Sequence, residues 1–156
     1  MGIKLDGKPV VQALRETIKQ KVAILVEKGV IPTILIIRVG EREDDISYEK
    51  GILKNCEMLG IKSQVLPLPL NVTQEKLISI MEESNRDKNI HGIMLFRPLP
   101  DQLDPDVLNN VISPEKDIDC MSPVNLEKVF EGNSKGFAPC TAKAVVELLK
   151  YYNIPL

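Results

Sequence analysis

The sequence predicts an α/β fold, a three-layer αβα domain around a mainly parallel β-sheet. Segments with helical periodicity alternate with short, near-continuous apolar runs in the order α-β-α-β-α-β over residues 6–96. Such runs are typical of parallel strands covered on both faces, and the segments between them are long enough for crossover helices. Ligands of such sheets bind beyond the carboxyl ends of the strands. The turns after Val39 and after Phe96 are therefore the predicted site of any chemistry.

The first part of the chain supplies a helix, a strand and a second helix. Apolar residues within Asp6–Gly29 recur at steps of three and four, which predicts an amphipathic helix ended by Gly29. The apolar run Thr33–Gly40 is rich in β-branched residues and predicts a buried strand. A charged segment at 41–45 then leads into a helical pattern that stops at Gly60.

Two further strands and a helix follow. Lys62–Leu68 is interpreted as a strand whose prolines suit an edge or an end of the sheet. Thr73 can cap a helix that runs to about Arg86, and Ile90–Phe96 is the third predicted strand. The remainder is expected to hold a short helix at 104–111, an irregular acidic loop at 117–119 and a final helix at 141–152.

Composition narrows the functional classes. The 156 residues fit a single domain spanning 1–156, and twenty Lys and Arg against twenty-two Asp and Glu leave a net charge of −2. We therefore expect no nucleic-acid partner, and the apolar runs are too short for a membrane span. The three cysteines are widely separated and the chain has one histidine, which predicts reduced thiols in a cytoplasmic protein without a metal site.

Several common ligand motifs are absent. No two glycines stand two residues apart, which excludes a G-x-G-x-x-G dinucleotide turn, and neither a P-loop nor an H-E-x-x-H helix occurs. His91 precedes a strand without an acid or thiol beside it, so we expect a structural or surface role. The acidic segment 41–45 is interpreted as a solvated helix start rather than a cation site.

Four segments taken together carry a resemblance that extends from Leu5–Lys8 to Tyr152–Leu156. They stand at characteristic separations along the chain: Ser47–Tyr48, His91–Pro100, Pro114–Asp119 and Phe137–Thr141. The pattern resembles the methylenetetrahydrofolate dehydrogenase/cyclohydrolase family over essentially the whole chain. That resemblance implies a folate-binding catalytic domain. In the family a nicotinamide-binding Rossmann domain follows, and we expect that NAD(P)-binding domain to be absent from this chain.

The resemblance also implies roles for individual residues. Tyr48 falls on the tyrosine that packs against the aminobenzoyl ring of folate, and Asp119 on the carboxylate that holds the pterin edge. These two are the implied catalytic pair, although Tyr48 could also be an ordinary core tyrosine. Asp117 is expected to shape the loop. The resemblance also places Arg97 and Pro98 among the substrate-binding residues and Thr141 on the cofactor side of the cleft.

Two departures from the family pattern bear on mechanism. The family's proton-handling lysine falls on Ile52, and the glutamine that hydrogen-bonds that lysine falls on Phe96. Lys50 and Lys54 lie on nearly the opposite side of an ideal helix from residue 52. The resemblance therefore implies a dehydrogenase whose cyclohydrolase activity is lost, because hydride transfer needs orientation whereas hydrolysis needs proton handling.

A third departure affects the substrate loop. Cys120 stands where the family usually has glycine. Met121, Glu127 and Ala142 also differ from the residues expected at these positions in the family. These differences lead us to expect a displaced loop and leave room for a changed substrate.

Alternative functions remain open at this point. They are a bifunctional dehydrogenase/cyclohydrolase with a relocated lysine, a non-catalytic folate-binding or dimer-forming module, and an enzyme of the same fold with another substrate. The resemblance implies NAD or NADP as cofactor, bound mainly by the second domain. The isolated chain is therefore expected to be inactive as an oxidoreductase. A homodimer, formed largely through that other domain, is also implied.

Overall fold

A computed structural model describes residue 2 and residues 4–156 of the chain. Within these residues nine elements follow one another, of which six are helices and three are strands. In chain order they are α1 (Gly7–Glu27), β1 (Thr33–Val39), α2 (Glu43–Leu59), β2 (Lys62–Leu68), α3 (Gln74–Arg86), β3 (Gly92–Leu95), α4 (Pro105–Val111), α5 (Pro123–Phe130) and α6 (Cys140–Tyr151).

The three strands form one parallel sheet in the order β2-β1-β3. This arrangement confirms the predicted α/β class. Strand β2, which contains Pro67, lies at an edge, as its prolines predicted. Beyond β3, Asp117 forms a single parallel bridge with Ile93. The loop after α4 therefore runs beside β3 in the same direction.

Helices cover both faces of the sheet. One face of β1 carries Leu35, Ile37 and Val39, which belong to the main core cluster together with buried residues of α3 and α4. The opposite face carries Ile36, which is fully buried, and Arg38. On that side α2 contacts β2, and α1 packs against α2 and α6. The result is the predicted αβα layering.

Local signals explain most element boundaries. Asp6 and Thr73 accept backbone hydrogen bonds at the starts of α1 and α3, as N-cap side chains do. Helix α2 ends at Gly60, whose φ of 73° is the left-handed conformation that glycine adopts without strain.

One strand boundary and one helix depart from the sequence analysis. Strand β3 covers Gly92–Leu95 rather than 90–96, because the parallel pairing with β1 begins at Gly92 and ends at Leu95. Helix α5 was not predicted, although Ser122 caps it and Pro123 occupies its first turn. Those two residues are a recognised helix-start signal that could have revealed it.

Candidate functional site

The first part of the candidate site lies where α2 passes the end of β3. Tyr48 is in the second turn of α2 and Phe96 directly follows β3; their ring centroids are 5.5 Å apart with the planes tilted by 39°. Phe96 is buried, whereas Tyr48 is 61% exposed. Tyr48 is therefore not a core tyrosine. Its ring rests on Phe96 and remains accessible to a ligand.

A groove of about 620 Å³ runs along the same helix. Tyr48, Ile52 and Cys56 line it with five other residues of α2. Ile52 is half-buried one helical turn after Tyr48, so the groove is apolar where the two side chains meet it. Lys50 and Lys54 are exposed and are not among the groove residues, as helix geometry predicted.

The turn after β3 forms a separate concavity. Residues Arg97 to Asp101 line a cavity of about 560 Å³ with Leu103 and Pro105. The Arg97–Pro98 peptide bond is cis. The Arg97 guanidinium donates a hydrogen bond to the Asn109 side-chain oxygen. Arg97 is thus exposed but held to α4.

The second part of the candidate site is the loop beyond β3, organised by Asp117. This carboxylate is fully buried and accepts hydrogen bonds from the backbone N–H of Met121 at 2.9 Å, the backbone N–H of Ser122 at 2.8 Å and the Asn125 amide at 2.9 Å. The loop-shaping role predicted for Asp117 is confirmed. Sequence analysis missed Asn125, a fully buried residue on α5 that also donates to the Pro114 carbonyl.

The network around Asp117 presents the next residues of the loop. Asp119 is exposed, and Cys120 is buried with a φ of 59°, in the left-handed region where most side chains are strained. This conformation explains why glycine suits the position. Here a cysteine occupies it.

Asp119 faces the start of α6. The Cys140 thiol donates a hydrogen bond to the Ile118 carbonyl at 3.5 Å. Burial of the sulfur, and then the charge of Asp119, raise the pKa of Cys140. Burial and the charges of Asp117 and Asp119 also raise the pKa of Cys120. Thr141 is exposed in the first turn of α6, beside this cluster.

Both parts of the site adjoin strand β3. Phe96 follows β3 directly, and Asp117 pairs with Ile93 of the same strand in parallel. Asp119 comes two residues after that bridge, in the turn that precedes Cys120. The structure thus brings Tyr48, Ile52 and Phe96 together, and places Asp119 and Thr141 as a second group beyond β3.

His91 lies at the opposite, amino-terminal edge. Its Nδ1 accepts a hydrogen bond from the Thr33 backbone N–H at 3.2 Å, linking the starts of β3 and β1. The predicted structural role is confirmed. Among residues 2 and 4–156, no group of three or more His, Cys, Asp or Glu residues is placed to hold a metal ion. None of the helices described is long and apolar enough to cross a membrane.

Comparison with protein families gives a match over most of the chain. Residues 5–119 match the model of the tetrahydrofolate dehydrogenase/cyclohydrolase catalytic domain. The matched range includes Tyr48, Phe96 and Asp119, whereas Thr141 lies outside it.

Individual relatives agree with that match. The chain is 54% identical over 152 residues to "Bifunctional protein FolD 1" of Desulfitobacterium hafniense, covering 97% of this chain and 54% of the relative. Among solved structures, it is similar to the bifunctional FolD enzyme from Campylobacter jejuni, with a TM-score of 0.94, 37% identity, and coverage of 96% of this chain and 53% of that one.

A third similar structure contains ligands. It is the Trypanosoma brucei methylenetetrahydrofolate dehydrogenase-cyclohydrolase, complexed with NADP cofactor and inhibitor, at a TM-score of 0.89 and 33% identity. The match covers 97% of this chain and 52% of that protein. The present chain thus spans about half the length of the relatives it matches.

Proposed function

The chain belongs to the tetrahydrofolate dehydrogenase/cyclohydrolase family, and from this premise we propose that residues 1–156 are the folate-binding domain of a 5,10-methylenetetrahydrofolate dehydrogenase without cyclohydrolase activity. The observation that carries the second half of the proposal is the apolar pair Ile52 and Phe96. In the family that the chain resembles, these two positions are occupied by a lysine and its glutamine partner.

The surroundings of the pair support this proposal. Phe96 is buried against the Tyr48 ring and Ile52 is half-buried on the next turn of α2. An isoleucine and a phenylalanine can neither accept nor donate a proton. Lys50 and Lys54 are exposed and lie outside the residues that line the groove.

The two reactions make different demands on this pocket. Removing a hydride from the methylene bridge of the substrate leaves a resonance-stabilised methenyl cation and releases no proton. Orientation of the substrate is then what the protein must supply. Hydrolysis of that cation needs a proton taken from the attacking water and a proton supplied for ring opening. An apolar pair is compatible with the first reaction only.

Substrate binding is assigned to the two groups of residues described above. The accessible face of Tyr48 would stack on the aminobenzoyl ring, beside Ile52 and Phe96. The exposed carboxylate of Asp119 would accept paired N–H donors from the pterin edge. Arg97 and Pro98 would border the pterin from the turn after β3.

The turn between β1 and α2 does not fit a dinucleotide. The turn between β1 and α2 has a single glycine, and the first turn of α2 carries Glu43, Asp44 and Asp45, whose charges would repel a pyrophosphate. We therefore assign no hydride-transfer step to residues 1–156. NAD or NADP, which accepts the hydride, is proposed to bind mainly outside this range, with Thr141 on the cofactor side of the cleft.

A second candidate function is the complete bifunctional activity. The relatives' names favour it, because the Desulfitobacterium hafniense protein is called bifunctional at 54% identity. It would require Lys50 or Lys54 to turn toward the groove. A change in the course of α2 near Gly51 would be needed for that, since both lysines are exposed.

The cellular setting is also part of the proposal. Cys56, Cys120 and Cys140 are all free thiols, which supports a reducing cytoplasmic location. A homodimer is proposed to form largely through residues outside 1–156.

The experiment joins this chain to the carboxyl-terminal part of the Desulfitobacterium hafniense relative and follows methenyl absorbance. The Ile52→Lys/Phe96→Gln double variant is expected to gain hydrolysis over the parent chimera, and Ile52→Lys alone to gain less because its ammonium would face an apolar ring. Acid–base assistance is worth about 10²–10⁴-fold, so a partial gain is measurable. Failure of the double variant to exceed the parent would contradict the role given to this pair.

A further inference from the structure

A charged side chain lies beneath the helix that carries the folate-stacking tyrosine. Arg38 is the sixth residue of β1 and is only 8% exposed, on the sheet face that α2 covers. Arginine is rarely buried unless it is paired. The groups that pair with the Arg38 guanidinium therefore indicate the role of this buried charge.

Arg38 connects two backbone segments at the carboxyl edge of the sheet. Its Nε donates to the Glu49 carboxylate at 2.8 Å, and both side chains are nearly enclosed. Its Nη1 donates to the Gly40 carbonyl, in the turn that leads into α2. One guanidinium thus holds both the turn before the helix and the helix's second turn, using the rigid fork that distinguishes arginine from lysine.

Glu49 is placed to pass this constraint to the site. It follows Tyr48 directly and precedes Ile52 by three residues, which is close to one helical turn. A displacement of the second turn of α2 would therefore move the Tyr48 ring relative to Phe96, which is fixed in the core after β3.

We propose that Arg38 and Glu49 are positioning residues for folate. They hold α2 at the distance from the sheet, and at the rotation about its own axis, that keep one face of the Tyr48 ring on Phe96 and the other face open. This inference rests on the proposed function. Neither residue lines the groove along α2 or the cavity after β3, so the pair acts through the turn at Gly40 and the helix.

The Arg38–Glu49 ion pair is not needed to fill the space between β1 and α2, so its presence points to a positioning role. Apolar residues of similar volume commonly replace a buried ion pair without loss of stability, whereas removing one partner leaves an uncompensated charge. The double variant Arg38→Leu/Glu49→Leu therefore separates stability from position. It removes both charges, and with them the link to the Gly40 carbonyl.

The test measures folic acid affinity and unfolding by urea in this chain. The double variant is expected to unfold at nearly the wild-type urea concentration but to bind folic acid about tenfold more weakly, since small misplacement of a binding group is costly. NMR contacts between the Tyr48 and Phe96 rings should weaken in parallel. Arg38→Lys keeps the charge but not the planar guanidinium, so its folic acid affinity should lie between those of the wild type and the double variant. Lys150→Gln, which breaks the exposed ion pair to Glu147 on α6, is the matched control and should change neither quantity.

Each outcome separates the two proposals. A double variant that binds folic acid as wild type does would overturn the positioning role and leave the folate site in place. If the wild-type chain itself gave no folic acid binding, the proposed function would fail and this inference with it. The single variants are not needed for either conclusion, so their failure to fold would not obscure the result.

Discussion

The two sides of the candidate site are built in opposite ways. The loop beyond β3 is organised by polar contacts, because the buried Asp117 carboxylate accepts three hydrogen bonds from groups within the loop and α5. The side formed by α2 and the end of β3 is an aromatic pair beside an aliphatic groove. One side offers fixed hydrogen-bonding geometry, and the other offers apolar contact area.

The difference indicates which functions each side can serve. A loop held by a buried carboxylate can present Asp119 at a fixed place, which suits recognition of a polar ring edge. An apolar side can hold and orient a flat ring, but it cannot move protons. The contrast therefore accounts for a site that would bind folate and orient it without catalysing hydrolysis.

The largest expected effect comes from disturbing the polar side at Asp117. Asp117→Asn keeps the shape but replaces one carboxylate oxygen with an N–H₂ group. That group faces the Met121 N–H in one orientation of the amide, and the Ser122 N–H and Asn125 amide donors in the other. We expect a loss of about 3 kcal/mol or more in the free energy of unfolding, because buried donors are left unsatisfied. Urea denaturation measures it. Asp119→Asn, at an exposed position in the same loop, should stay within about 0.5 kcal/mol of wild type; equal losses in the two variants would contradict the contrast between them.

Asp119 should affect binding rather than stability. Asp119→Ala removes a charged acceptor of two hydrogen bonds, each worth about 1.5–3 kcal/mol, so we expect folic acid affinity to fall by at least about 100-fold. Titration calorimetry on this chain gives the affinity. Glu115→Ala changes another exposed carboxylate of the same loop and serves as the control. Unchanged affinity in Asp119→Ala would show that the pterin assignment is wrong.

A smaller effect is expected on the apolar side. Tyr48→Leu keeps apolar area but removes ring stacking, which contributes about 0.5–1.5 kcal/mol, so affinity for folic acid should fall roughly two- to tenfold. Stability should change little because the ring is mostly exposed. Tyr151→Leu on α6 is the matched substitution and should leave the affinity as it is. A Tyr48→Leu affinity equal to that of wild type would remove Tyr48 from the proposed site.

Periodicity and caps were sufficient to predict most of the fold. The helices α1, α2 and α3 and the strand β2 have apolar spacing, caps or prolines that depend only on local sequence. Helix α5 has eight residues, which is fewer than the window over which apolar periodicity indicates a helix, so its local signal is the start at Ser122-Pro123. The strand order required tertiary pairing and could not be derived from periodicity.

The site shows a similar division. The resemblance pointed to Tyr48, Phe96 and Asp119, and the contact of Tyr48 with Phe96 is seen in the structure. The Arg38–Glu49 ion pair was not predicted, because Arg38 falls in an apolar run and Glu49 on a helix with many charges. Which helix charge meets a strand residue depends on how α2 is rotated on the sheet, and a local pattern does not contain that information.

The most direct test of the account uses no variant at all. The chimera of this wild-type chain with the carboxyl-terminal part of the Desulfitobacterium hafniense relative is supplied with 5,10-methylenetetrahydrofolate and NADP or NAD, and methenyl absorbance is followed over time. The account predicts that methenyltetrahydrofolate accumulates and then decays only at the rate seen in buffer. Decay well above the buffer rate would contradict it, and would place Lys50 or Lys54 in the groove.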